Sequence, residues 1–257
     1  LKKTARERKQ PKKPEAYQAR GYRLQAAAAG LVSFGVTVRE TDLHILATLA
    51  LPDEARHLVL QARSQLEGYI DHHPAFLTAL APLSLDPTAP PLARTMLQAA
   101  AIANVGPMAA VAGAIAAYVG QGLLAAGAAE VIVENGGDIF MQRHQDCLVQ
   151  IFAGASPLSN KVALRIQRDR MPLGVCCSSG TVGHSLSLGR ADAAIVLARS
   201  TPLADAAATA LGNRVQGPAD LDAALATVQT IPGVLGAVVI CQDQLAAWGD
   251  VLLEPLG

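Results

Sequence analysis

The run from Leu203 to Asn213 reads L-A-D-A-A-A-T-A-L-G-N, with Asp205 and Thr209 four residues apart. Thr201 followed by Pro202 predicts a helix start, with Thr201 as the cap and Pro202 as the first helical residue. Asp205 then falls in the first turn and Thr209 one turn later on the same face. A carboxylate and a hydroxyl side by side are the hard oxygen donors that Mg²⁺ takes, and the ion keeps positions open for water or phosphate. The alanines between them leave room for a ligand to approach. An acidic residue in a first turn is also favoured by the helix dipole alone, and a mid-helix threonine can bond back to the preceding turn. D-x-x-x-T by itself therefore does not specify a metal.

Two further stretches could contact an anion. Glu134-Asn135-Gly136-Gly137-Asp138 is first a hairpin signal, because the turn needs positive φ, and its bare glycines also let a phosphate or flavin come close to main-chain N–H groups. Ser178-Ser179-Gly180-Thr181-Val182-Gly183-His184-Ser185 is a polar, glycine-rich loop in an apolar neighbourhood, with hydroxyls, amides and one imidazole. Asp71-His72-His73 offers donors to a transition metal, but adjacent helical residues point about 100° apart, which favours a plain helix end. A serine hydrolase built on Ser179, His184 and Asp205 would lack the G-x-S-x-G elbow.

The elements that must position these residues can be read from apolar periodicity. Phe34, Val36 and Val38, then Leu43, Ile45, Ala47 and Leu49, alternate as a β-hairpin. Pro52-Asp53-Glu54 opens a helix to about Ile70, with the stripe Ala55, Leu58, Val59, Ala62, Leu66 and Tyr69 facing inward. Prolines 82, 87, 90 and 91 mark a loop, and helices follow over Leu92–Ala103 and Pro107–Ala126. Strands fit residues 131–133, 139–141, 147–153, 162–167, 175–177 and 193–197. A helix over 219–228 and a closing hairpin, 236–241 with 244–248, complete the pattern. Hairpins and blocks of helices make an α+β fold with a mostly antiparallel sheet, the long helices before Glu134 packing on one sheet face.

The 257 residues suffice for a sizeable core, 51% hydrophobic but only 4% aromatic, so the core is built from Ala, Leu, Val and Ile. The net charge of zero conceals an asymmetry: residues 1–23 hold nine Lys/Arg and two Asp/Glu, leaving 12 basic and 19 acidic residues in the remainder. Residues 1–22 read as a basic flexible tail and 23–257 as one domain. Without interleaved aromatics the tail gives no stacking platform, so nucleic acid is not the expected partner. Residues 105–129 are long enough to span a bilayer. They are nevertheless rich in Ala and Gly, are interrupted by Gly120-Gln121-Gly122, and lack flanking basic residues, so a buried helix is expected and no membrane. Four cysteines without a C-x-x-C, and no secretory signal at the start, set the expectation of a reduced, cytoplasmic protein. A homodimer is expected on general grounds.

The order V-E-N-G-G-D-I-F, S-S-G-T-V-G-H-S, L-A-D-A-A-A-T-A, after an apolar helix containing glycine, resembles the ApbE family, the FAD:protein FMN transferases, and more closely a shorter branch of that superfamily. The likeness covers roughly residues 95–213. It implies an ApbE-like, T-fold-related domain. It implies Mg²⁺ held by Asp205, Thr209 and the main-chain carbonyl near Val111, against the pyrophosphate of FAD. Asn135, Gly136, Gly137, Asp138, Ser178, Ser179, Gly180 and Thr181 would contact FAD or FMN, with His184 as the catalytic imidazole. The implied reaction is attack by a Ser or Thr hydroxyl of a target protein on the FMN phosphorus, with AMP leaving, or cleavage of the FAD pyrophosphate. The family's Lys-Gly reads Ala112-Gly113 here, and its H-x-x-D-P block reads His184-Ser185-Leu186-Ser187-Leu188. A non-catalytic flavin- or nucleotide-binding protein on the same scaffold is the alternative.

Overall fold

A computed structural model describes residues 30–182 and 187–256; the basic tail and His184 lie outside the described residues. Strands β1 (Val32–Val38) and β2 (Thr41–Ala47) form the first hairpin, turned at Arg39-Glu40. Helix α1 (Pro52–His72) follows, and the residues it buries are Ala55, Leu58, Val59, Ala62, Leu66 and Tyr69, the stripe expected from the 3.6-residue period. A short α2 (Ala75–Thr78) leads through the proline loop to α3 (Pro91–Ala103), which ends at Asn104 in the left-handed conformation. A 3₁₀ turn over Pro107–Ala110 separates it from α4 (Val111–Ala125), where a single helix from Pro107 was expected. Strands β3 (Val131–Asn135), β4 (Asp138–Gln142), β5 (Cys147–Gln150), β6 (Val162–Ile166), β7 (Leu173–Ser178) and β8 (Ala193–Ala198) come next. Then follow α5 (Thr201–Arg214), α6 (Leu221–Gln229), β9 (Val234–Cys241), β10 (Gln244–Gly249) and β11 (Leu252–Pro255).

Eight strands form one antiparallel sheet in the order β1-β2-β3-β4-β7-β8-β9-β10, and a second sheet has the order β11-β6-β5. The helices cover one face of the large sheet and the small sheet covers the other. In β8, Ala194, Val196 and Ala198 join the core on the helix side, while Ala193, Ile195 and Leu197 join the core facing the small sheet. Burial on both faces explains why the central strands read as unbroken apolar runs rather than alternating ones.

Helix α4 is the element on which the layers converge, packing on α1, α5, β3 and β4. It belongs to the one span, Pro107–Ala125, that among the described residues is long and apolar enough to cross a membrane, and Gly113, Ala114, Ile115, Ala116, Ala117, Val119, Gly120 and Leu123 are buried within the fold. Gly120 and Gly122 do not interrupt it. A Cβ at Gly120 would overlap the Phe140 ring and one at Gly122 would overlap Leu58, so the bare backbone is what allows the neighbours to close in.

Candidate functional site

The β3–β4 turn, the start of α4 and the first turns of α5 meet at one place. Asn135 and Asp138 are paired across the turn, leaving Gly136 and Gly137 as its two central residues, with φ of 72° and 110°. Side-chain-bearing residues rarely adopt these angles. The Glu134 carboxylate accepts the Gly137 amide at 2.8 Å and closes the turn. Alternation along the strands puts Asn135 and Asp138 on the helix side with Val133 and Phe140. There the Asn135 side-chain amide donates to the Ala112 carbonyl at 3.1 Å.

The cap of α5 differs from the expected one. Ser200 stands at the N-cap, its hydroxyl accepting the Leu203 amide at 3.4 Å, and Thr201 is already the first helical residue. With the helix starting at Thr201, Asp205 falls just past the first turn, which holds no acidic residue, rather than within it as expected; Oδ2 of its carboxylate accepts the Gly113 amide at 2.8 Å. The first-turn amides of α4 have no partners within their own helix, so Asp205 caps α4 from another helix.

Burial raises the pKa of Asp205 well above the usual carboxylate range, the charge of Asp138 pushes it further, and the amides of Gly113 and Ala112 oppose both. Cys176, packed on the same side, is raised by burial and then by Asp138 and Asp205. Cys177, facing the other core, is raised to about 12, again by burial first and Asp138 second. Two buried carboxylates this close do not both hold a full charge unless a cation joins them.

Asp138 and Asp205 form the polar floor of a cavity of about 1170 Å³. Ile139, Val149, Ile151, Leu164, Val175 and Ile195 wall it between the two sheets, and Leu66, Ile70, Met108 and Ile115 wall it among the helices. Val111, Asn135, Gly136, Gly137, Asp138, Ser178, Ser179, Asp205 and Thr209 all line it. Gly180 and Thr181 are not part of the lining: a Cβ on Gly180 would collide with the Gly189 main chain, and the Thr181 hydroxyl donates to Asp192 at 3.0 Å. The Ser179 hydroxyl accepts the amides of Thr181 at 3.1 Å and Val182 at 2.9 Å, which folds the loop back on itself. His184 lies outside the described residues. His72 and His73 end α1 as expected, each ring Nδ1 at hydrogen-bond distance from the carbonyl one turn earlier, Gly68 at 2.9 Å and Tyr69 at 3.1 Å.

The donors at the floor fit a hard cation: the Asp205 carboxylate, the Thr209 hydroxyl one turn along the same helix, and the main chain at Val111, with the Asp138 carboxylate beside them. Among the described residues no three Asp, Glu, His or Cys side chains gather as a metal cluster, so hydroxyl, carbonyl and ligand oxygens would have to complete the shell. Sequence reasoning missed two arginines in the lining, Arg39 from the first hairpin and Arg63 from α1. Neither carries a local motif; only tertiary packing brings them to the cavity.

The profile of the family described as AbpE bacteria matches residues 24–247. A UPF0280 protein of Methanothrix thermoacetophila is 44% identical over 198 residues, 77% of this chain and 83% of the relative. One from Methanocella arvoryzae is 42% identical over 212 residues, 82% of this chain and 86% of the relative. Among solved structures, the apo form of Pseudomonas stutzeri flavinyl transferase ApbE superposes with a TM-score of 0.55 at 14% identity, covering 85% of this chain and 94% of its own. A mutant of Flavin Transferase ApbE from Vibrio cholerae gives 0.52 at 13% identity, covering 86% and 97%. At such identities the likeness is one of fold.

Proposed function

The chain belongs to the bacterial AbpE family, and from that premise we propose that it is a Mg²⁺-dependent enzyme acting at the pyrophosphate of a flavin dinucleotide. It transfers FMN to a Ser or Thr of a target protein, or cleaves the FAD pyrophosphate. One observation carries the reading: the two buried carboxylates of Asp138 and Asp205 lie on the floor of an apolar-walled cavity of about 1170 Å³, larger than most small-molecule sites and roomy enough for a dinucleotide.

In this reading Asp205, Thr209 and the Val111 carbonyl hold Mg²⁺, which supplies charge neutralisation on the phosphates when bound. The Gly136-Gly137 turn lets a phosphate approach the main chain, Asn135 and Asp138 flank it, and Ser178 offers its hydroxyl to the flavin nucleotide while Ser179 holds the loop beside it. Gly180 and Thr181 shape the loop that carries those serines. The hydroxyl oxygen of the target forms a bond to the FMN phosphorus, the bridging P–O bond breaks, and AMP leaves with the bridging oxygen. The hydroxyl proton passes to His184, a role resting on the family resemblance alone, or to a nearby carboxylate. The four cysteines are free thiols, in keeping with a cytoplasmic site of action.

A second reading, a flavin- or nucleotide-binding protein without turnover, is favoured by Ala112 standing where the family pattern has lysine. Incubating FAD with Mg²⁺ and separating the products distinguishes the two readings. Release of AMP that is lost in a folded Asp205→Ala variant supports the enzyme; unchanged turnover in that variant contradicts it.

A further inference from the structure

Among the charged residues lining the cavity acidic ones prevail, and its cations among the described residues are Arg39, at the tip of the β1–β2 hairpin, and Arg63, on α1. The two guanidiniums share a partner. Glu67 accepts from Arg39 Nη1 at 3.1 Å and lies 2.8 Å from Arg63 Nη2. Arg63 Nη2 also donates to Glu40 at 2.8 Å, and its Nη1 donates to the Thr41 hydroxyl at 3.1 Å. The Arg63 side chain is only 17% exposed, so its fork is held in place, whereas the Glu40 side chain is 84% exposed. An ion pair with so exposed a carboxylate contributes little and is readily exchanged. Glu40 therefore occupies, loosely, a position on a pre-oriented guanidinium that another anion can take. A planar fork of N–H donors matches two oxygens of a phosphate.

Arg39 sits at the turn itself. Its φ is 53°, which the two-residue turn between the paired Val38 and Thr41 demands of its first central residue. Arginine therefore stands where glycine is the relaxed choice. Both arginines also line a smaller surface depression of about 340 Å³, so they stand between it and the main cavity. We infer that Arg39 and Arg63 form an anion subsite at this end of the cavity, binding a phosphate of the nucleotide ligand in place of the Glu40 carboxylate. The identity of the ligand rests on the functional reading above; the subsite supplies the positive charge that Ala112 does not.

The test compares FMN with riboflavin, which differ by the phosphate, in equilibrium titrations of wild type, Arg39→Gly and Arg63→Gln at fixed Mg²⁺, with inorganic pyrophosphate titrated separately. Wild type is expected to prefer FMN. Each variant should lose about ten- to a hundredfold in FMN affinity, the range for a charge-assisted hydrogen bond, while riboflavin affinity stays unchanged. Arg39→Gly should keep or raise its thermal midpoint, which separates a lost contact from a lost fold. Equal FMN affinity in wild type and both folded variants overturns the subsite. Should wild type bind neither flavin, the functional reading fails and pyrophosphate decides the subsite: weaker binding to Arg63→Gln upholds it, and equal binding overturns it.

Discussion

Gly113 and Asp205, 92 residues apart in the chain, are joined by a 2.8 Å hydrogen bond from the Gly113 amide to the Asp205 carboxylate. A Cβ on Gly113 would stand 2.8 Å from the Asp205 Cβ and 2.7 Å from the Thr201 carbonyl oxygen. The contact fixes the distance between α4 and α5 and so holds the cavity floor together. Gly113→Ala must push the helices apart, and overpacking of this kind costs about 1–3 kcal/mol. Urea unfolding should show that loss together with weakened ligand binding. Unchanged stability and binding would mean the helices tolerate the methyl and the floor is looser than described.

A pH dependence follows from Asp205. Its pKa in the folded protein is raised above the ordinary 3.8, by burial first and by Asp138 second. The folded state then holds a proton that the unfolded state releases, so stability falls as pH rises from the ordinary carboxylate range through the raised value. With a chelator present, the unfolding free energy should decline across that window. Asp205→Asn should flatten the decline and, at neutral pH without divalent cations, match or exceed the parent by about 1 kcal/mol. Urea titrations at stepped pH read this directly, and a parent curve level from pH 4 to 7 in chelator would remove the electrostatic argument for a cation.

Cys177 lines the cavity, yet burial and Asp138 raise its thiol to about 12. The thiolate is the reactive form, so at pH 8 only about one thiol in ten thousand is ionised. Iodoacetamide should label Cys177 at a rate limited by unfolding, with Cys176 behaving alike for the same reasons. Peptide mass spectrometry before and after adding urea reports both. Rapid labelling of the folded protein would show that the thiols sit in a wetter or more positive setting.

Much of this arrangement is legible in the chain because it is local. The α1 stripe follows the helical period, and the Gly136-Gly137 turn follows from the φ values it demands. Asp205 and Thr209 share a helix face whichever residue caps the helix, which is why taking Thr201 for Ser200 did not displace them. The small sheet is another matter. Strand β11 pairs with β6 through Leu252 opposite Arg165 and Pro255 opposite Val162, and no local pattern announces a partner so far away. Arg39 and Arg63 escaped notice for the same reason. The Asp192 carboxylate, which holds Thr181 at 3.0 Å and the Gln242 amide at 2.7 Å, explains why Thr181 turns from the cavity; a sequence in isolation shows a loop hydroxyl but not the acceptor that claims it.

The most direct test is calorimetric titration of FAD into the purified protein with Mg²⁺ and again with chelator, the contents of the cell then being analysed for AMP. The account predicts FAD binding that depends on Mg²⁺ and AMP released in proportion to the FAD consumed. No FAD binding under either condition would contradict it, leaving a flavin-transferase fold whose cavity serves a different ligand.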